Sequence, residues 1–175
     1  NRYIAGEILP EAVRAVRERS EQGAMATLDV LGEHIHNRDE AIASRDKILE
    51  VLETISRERL DSNVSIKLTQ LGLKLDRNFC FENSGDIVRR AAELKNFIRI
   101  DMEDSSTTDD TLWIFRELRK KSSNVGIVLQ AYLRRTKRDA EALMRDGLSS
   151  FRLCKGCYET EQVSARVGFL TFALD

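Results

Sequence analysis

Proline is almost missing from this chain: 175 residues contain a single one, Pro10, beside nine glycines. Such a scarcity of breakers argues against a Pro/Gly-rich linker or a low-complexity segment and leaves room for long helices. Cysteine is also scarce, at three residues, an odd number that fits a reducing compartment better than a disulfide framework. Charge of one sign is not in excess, since 28 basic residues face 29 acidic ones. No field is therefore provided for nucleic acid or for an anionic membrane surface. No apolar run approaches the ~20 residues that span a bilayer, and no charged-then-apolar leader is present. These absences lead to the expectation of a cytoplasmic protein without a transmembrane segment. Histidine is limited to His34 and His36, two apart and without evident carboxylate or cysteine partners, so no metal site is expected.

What is present is alternation. At 42% hydrophobic residues the composition suits one globular domain. From Ala24 onward, short apolar runs alternate with longer segments whose apolar residues recur every three or four positions. The runs are 25–31, 64–68, 97–102, 125–130 and 151–154. The intervening segments place Ile42, Ile48, Leu49, Leu52 and Ile55, then Ile87, Val88, Ala91 and Leu94, then Leu112, Phe115 and Leu118 on helical faces. Ser105 to Thr108 offer N-caps for the third helix, and Thr136 with Asp139 reads as a capping box for the fourth. Upstream, Glu11 to Gln22 reads as a further helix begun by Pro10, with Ala12, Val13 and Val16 facing inward.

The intervals between Thr27, Ser65, Ile98, Gly126 and Phe151 stay near the ~30 residues of one βαβ unit. No Gly-x-Gly-x-x-Gly follows the first strand, which weakens a dinucleotide-binding reading. The expected fold is α/β: a partial (β/α)8 barrel of the TIM type, about five βα units plus an N-terminal helix. A whole barrel typically needs ~250 residues.

In a parallel barrel the C-terminal strand ends converge on one face, which carries the chemistry. Here those ends hold Asp29 and Glu33, then Lys67, then Asp101, Glu103 and Asp104, then Gln130, Arg134 and Arg135, then Arg152 and Lys155. Glu103, Asp104, Arg134 and Arg135 read as water-facing charges. Lys67, Asp101 and Arg152 sit among apolar neighbours, where an ionised group requires a partner. Lys67 and Asp101 lie on adjacent strands and are placed to pair with each other. By spacing alone this is a polar site for an anionic or carbonyl-bearing ligand, with no reaction type attached.

Five segments carry a resemblance: Thr-Leu-Asp-Val-Leu-Gly-Glu (27–33), Ser-Ile-Lys-Leu-Thr-Gln-Leu-Gly (65–72), Ile-Asp-Met-Glu-Asp-Ser (100–105), Val-Leu-Gln-Ala-Tyr-Leu-Arg-Arg-Thr (128–136) and Arg-Leu-Cys-Lys-Gly (152–156). In this order, one per strand, they resemble the motifs of monofunctional bacterial proline dehydrogenase. The resemblance implies a distorted (β/α)8 barrel that binds FAD, oxidises L-proline to Δ1-pyrroline-5-carboxylate and passes electrons to a membrane quinone, with peripheral contact at the inner membrane. It implies that Lys67 binds the substrate carboxylate, that Asp101 supports that lysine beneath the flavin, and that Arg152 bonds the flavin near N5. It further assigns Met102, Gln130, Lys155, Gly156 and Cys157 to FAD, and Tyr158 and Glu33 to the substrate pocket and its closure.

The motifs stop before the family's last barrel helix, whose tyrosine and adjacent arginines clamp the carboxylate. Neither Arg89-Arg90 nor Arg134-Arg135 occupies an equivalent place. Residues 1–175 therefore read as a single incomplete barrel domain with a divergent tail at 159–175. On this basis, residues 1–175 alone are not expected to turn over proline at a full-length enzyme's rate. The alternatives are an inactive truncated fragment and an unrelated barrel lyase using Lys67 as a Schiff-base amine. Cys154-Lys155-Gly156-Cys157 has redox spacing but reads as coincidental, and Cys80 reads as a loop or core residue. An open half-barrel is expected to expose two strand edges and an apolar inner face, and so to associate.

Overall fold

A computed structural model describes residue 6 and residues 8–32 and 35–156. The elements are α1 (Leu9–Glu21), β1 (Ala26–Asp29), α2 (Arg38–Glu58), β2 (Ser62–Ile66), a 3-10 turn (Thr69–Leu71), α3 (Arg77–Glu93), β3 (Ile98–Ile100), α4 (Thr108–Arg119), β4 (Val125–Gln130), α5 (Thr136–Arg145) and β5 (Phe151–Cys154). The five strands form one sheet in the order β1-β2-β3-β4-β5, every pair parallel. A dinucleotide-binding sheet reverses its strand order at a switch point; this one never does, which is the topology of a barrel wall.

Alternation along each strand separates two chemistries. Val64, Ile66, Ile98, Ile100, Val125 and Ile127 are fully buried and join Ile48, Leu52, Ile87, Phe115 and Leu118 of the helices in one core. Each such aliphatic side chain contributes ~1.5–3 kcal/mol by leaving water. The alternate positions meet one another on the other face: Ser65 with Asp101, Lys67 with Asp29, Arg152 with Asp101, and Arg99 with the Ser150 carbonyl. The inner face is thus polar, not apolar as the open barrel led us to expect. The cause is the strand period of two, which sends the β-branched residues outward to the helices and the charged ones inward.

Helix starts depart from the sequence reading in two places. Thr107 holds the N-cap position of α4 without a capping bond, and its hydroxyl donates to the Asp104 carbonyl at 2.9 Å instead. Thr136 is already inside α5, where its hydroxyl donates to the Gln130 carbonyl, while Asp139 pairs with Arg135, so no capping box forms. Side-chain caps do appear at Asn37, which accepts from Glu40 N at 2.9 Å, and at Asp76, which accepts from Asn78 N and Phe79 N. Pro10 lies in the first turn of α1, as expected.

Two glycines fix the inner geometry. Gly72 ends the 3-10 turn at φ +100, and a Cβ there would lie 2.8 Å from the Phe79 ring. Gly72→Ala is expected to destabilise the chain by about 2–3 kcal/mol, combining left-handed strain with overpacking. Chemical denaturation checks this, and an unchanged midpoint would contradict it. Gly126 stands opposite Arg99, and a Cβ there would fall 2.3 Å from Arg99 Nη1. The bare backbone lets the arginine cross β4 to reach the Ser150 carbonyl at 3.1 Å.

Candidate active site

Lys67 follows β2 directly, two residues beyond Ser65, which stands opposite Asp29 in the register of β1 and β2. That offset makes Asp29 and Lys67 diagonal neighbours on one face. They form an ion pair, with the lysine side chain 14% exposed. Burial pulls the Lys67 pKa down, but the Asp29 hydrogen bond and the charges of Asp29, Asp101 and Glu103 outweigh it and leave it above the ordinary value. Lys67 is held as a cation.

Asp101 does not take Lys67 as its hydrogen-bonding partner. Its Oδ1 accepts from Ser65 Oγ at 2.7 Å and from Arg152 Nη2 at 2.7 Å. The Arg152 pair reaches from the residue after β3 to β5, across β4 at Val128, the residue in register with Arg152. Asp101 therefore fixes the arginine, and Asp29 fixes the lysine. Sequence reasoning placed Asp29 at a strand end without giving it this partner; the diagonal offset was the signal that would have found it.

Gln130, the last residue of β4, is buried at 2% exposure. Its Nε2 donates to the Met102 carbonyl at 2.9 Å, which leaves Oε1 buried with no hydrogen-bond partner among the described residues. A buried acceptor in this state is costly and marks a place where a ligand N–H fits. Met102 is itself buried. Past the strand, Ala131 N and Tyr132 N donate to the Cys154 and Lys155 carbonyls at 2.7 and 3.1 Å, so β4 and β5 stay joined at their exits. Gly156 follows at φ +98, where a Cβ would strike the Tyr132 ring at 2.4 Å. Tyr132 escaped the sequence reading.

Glu103 and Arg135 also depart from it. Glu103 is buried at 5% exposure and accepts from Thr69 N at 3.0 Å and from Thr69 Oγ1. Burial pushes its carboxyl pKa up, against the Thr69 hydrogen bonds and the Lys67 charge. Arg135 is largely covered and pairs with Asp109 and Asp139. Asp104 pairs with Lys74 at 2.9 Å, and Arg134 is exposed. Cys80 is a core residue with no exposure, its thiol pushed up to about 12 by burial. Glu33, His34, Cys157, Tyr158 and the tail 159–175 lie outside the described residues.

The site therefore presents two cations, each with its own carboxylate, beside a buried free acceptor. The proline dehydrogenase family model matches residues 12–169. This chain belongs to the proline dehydrogenase family. Proline dehydrogenase 2 of Bacillus subtilis (strain 168) is 38% identical over 165 residues, covering 93% of this chain and 54% of the relative. Proline dehydrogenase of Deinococcus radiodurans is 34% identical over 162 residues, covering 90% and 52%. Among solved structures, proline utilization A from Bdellovibrio bacteriovorus, inactivated by N-propargylglycine, superposes with a TM-score of 0.79 at 25% identity, over 87% of this chain and 20% of that one. The chain spans about half the length of the curated relatives it matches. Within the family's (β/α)8 barrel, the five parallel strands form a curled half. Among the described residues, no helix is long and apolar enough to cross a membrane.

Proposed function

We propose that this chain contributes the first half of an FAD-dependent site that oxidises L-proline to Δ1-pyrroline-5-carboxylate, the electrons passing on to a membrane quinone. The observation that carries this reading is the separate pairing of the two cations, Lys67 by Asp29 and Arg152 by Asp101. A substrate carboxylate and an electron-accepting ring each need a fixed positive charge, and one shared carboxylate would not hold both in place.

The residues present fit FAD. Gln130 Oε1, buried without a partner among the described residues, would accept from an N–H of the flavin ring. Arg152, with its side chain 44% exposed and one Nη2 bond to Asp101, has further N–H groups to offer ring acceptors. Met102, Lys155, Gly156 and Cys157 complete the assignment by family likeness. FAD, when bound, supplies a two-electron acceptor. Lys67 would hold the proline carboxylate and so orient the substrate ring. Arg152 supplies positive charge where negative charge accumulates. Glu33 and Tyr158 keep the substrate-side roles that family likeness implies. A Schiff-base role for Lys67 is disfavoured, because that chemistry needs a lysine with a lowered pKa and this one is raised.

Titration of residues 1–175 with FAD tests the cofactor half of the proposal. Saturable quenching of flavin fluorescence is expected, weakened about tenfold in Gln130→Ala by the lost buried hydrogen bond. No binding by the folded chain would reject it.

A further inference from the structure

Glu103 lies two residues beyond Asp101, and Thr69 two residues beyond Lys67. The Glu103 carboxylate closes the gap between them, one oxygen accepting from Thr69 N at 3.0 Å and the other from Thr69 Oγ1. Thr69 opens the 3-10 turn, whose first N–H has no partner within the turn and which has no side-chain cap of its own at Leu68. On its other side the turn is held by α3: Cys80 Sγ donates to the Leu68 carbonyl at 3.3 Å and Asn83 Nδ2 to the Leu71 carbonyl at 3.1 Å. Glu103 is thus the tie that comes from the segment bearing Asp101. It is buried, with both oxygens occupied on one residue, so it has no evident part in meeting solvent or a surface partner.

We propose that Glu103 is a positioning residue: by fastening Thr69 it sets the distance between the chain segments that carry Lys67 and Asp101, and so keeps the Lys67 ammonium on Asp29. The inference rests on the reading that Lys67 holds the substrate carboxylate, but its test needs neither substrate nor cofactor. Glu103 adds a smaller share to the charge around Lys67, but the tie itself is made by its hydrogen bonds to Thr69. A glutamine at this position still accepts from Thr69 N and donates to Thr69 Oγ1, whereas alanine loses both bonds.

The experiment is trace acetylation of residues 1–175 with acetic anhydride, the rate at each lysine read by mass spectrometry against Lys47, Lys95 and Lys137. Only the neutral amine reacts, so Lys67 released from Asp29 reacts faster. In Glu103→Ala the Lys67 rate is expected to rise about fivefold relative to the references. Glu103→Gln should stay within about twofold of the parent, since it rescues the tie. Thr69→Ala, which keeps the carboxylate and loses one bond, should raise Lys67 selectively by an intermediate amount. If Glu103→Ala raises all lysines together through global opening, Thr69→Ala decides by the same criterion. An unchanged Lys67 rate in Thr69→Ala overturns the proposal, as does a Glu103→Gln rate equal to that of folded Glu103→Ala. A flavin-bound chain whose spectrum is indifferent to L-proline, together with a selective Lys67 response, would instead reject the functional reading and leave the tie intact.

Discussion

Replacing Lys67 by methionine should weaken the response of bound flavin to L-proline about 100-fold while leaving FAD affinity within about twofold. The lysine stands at a strand end apart from the Asp101–Arg152 pair, its ammonium held on Asp29. Methionine keeps the stem's volume, so the loss isolates the charge. Under the proposed role, removing it would delete the charge-assisted bond to the substrate carboxylate, about 2.7 kcal/mol by the fold-change above. The pH dependence has a definite sign. Because the folded Lys67 pKa is raised, the stability from its pairing is complete below the unfolded lysine's ~10.4 and is lost as pH rises through the folded value. The proline response should therefore be flat in lysine ionisation through neutrality and fall only in that alkaline window. Spectral titration with L-proline at several pH values checks both parts. A Lys67→Met chain that responds as the parent does would contradict them.

Asp101→Ala should act on the other ligand. Its carboxylate gathers Arg152 and Ser65, each at 2.7 Å, and the two charged side chains are 19% and 44% exposed. This much solvent limits the loss of fold stability to about 1 kcal/mol. The effect on FAD should be larger, about 2 kcal/mol or roughly thirtyfold in Kd, because the freed guanidinium turns to water and must be reordered on binding. Asp101→Asn keeps an acceptor for Ser65 and should fall between. Flavin fluorescence titration measures both, and equal Kd values in parent and Asp101→Ala would remove Arg152 from the cofactor's contacts.

The barrel wall was legible because its signals are local and repeated. Val64, Ile66, Ile98 and Ile100 alternate with polar residues, and Ile48, Leu52 and Ile55 recur at helical spacing. Strand ends follow from the same pattern, which is why Lys67, Asp101, Gln130 and Arg152 stand out as candidates. Partners were harder to read. Lys67 lies between strands carrying Asp29 and Asp101, and only the register decides that Asp29 takes it. Glu103 looked like a solvent charge because nothing in its neighbours reveals that a turn 34 residues earlier presents an unpaired N–H. The caps failed for a similar reason: Thr136 had a better acceptor in the Gln130 carbonyl than a helix N–H could offer as donor. The polar inner face was implicit in the alternation itself, once the outward side was assigned to the helices.

The central claim is that one strand-end face holds a flavin through Arg152 and Gln130 and a proline carboxylate through Lys67. Its most direct test is the visible spectrum of residues 1–175 saturated with FAD, recorded anaerobically as L-proline is added. The account predicts a saturable spectral change that Lys67→Met abolishes, with any bleaching far slower than in the full-length relatives. A folded, flavin-bound chain whose spectrum is indifferent to L-proline would contradict it.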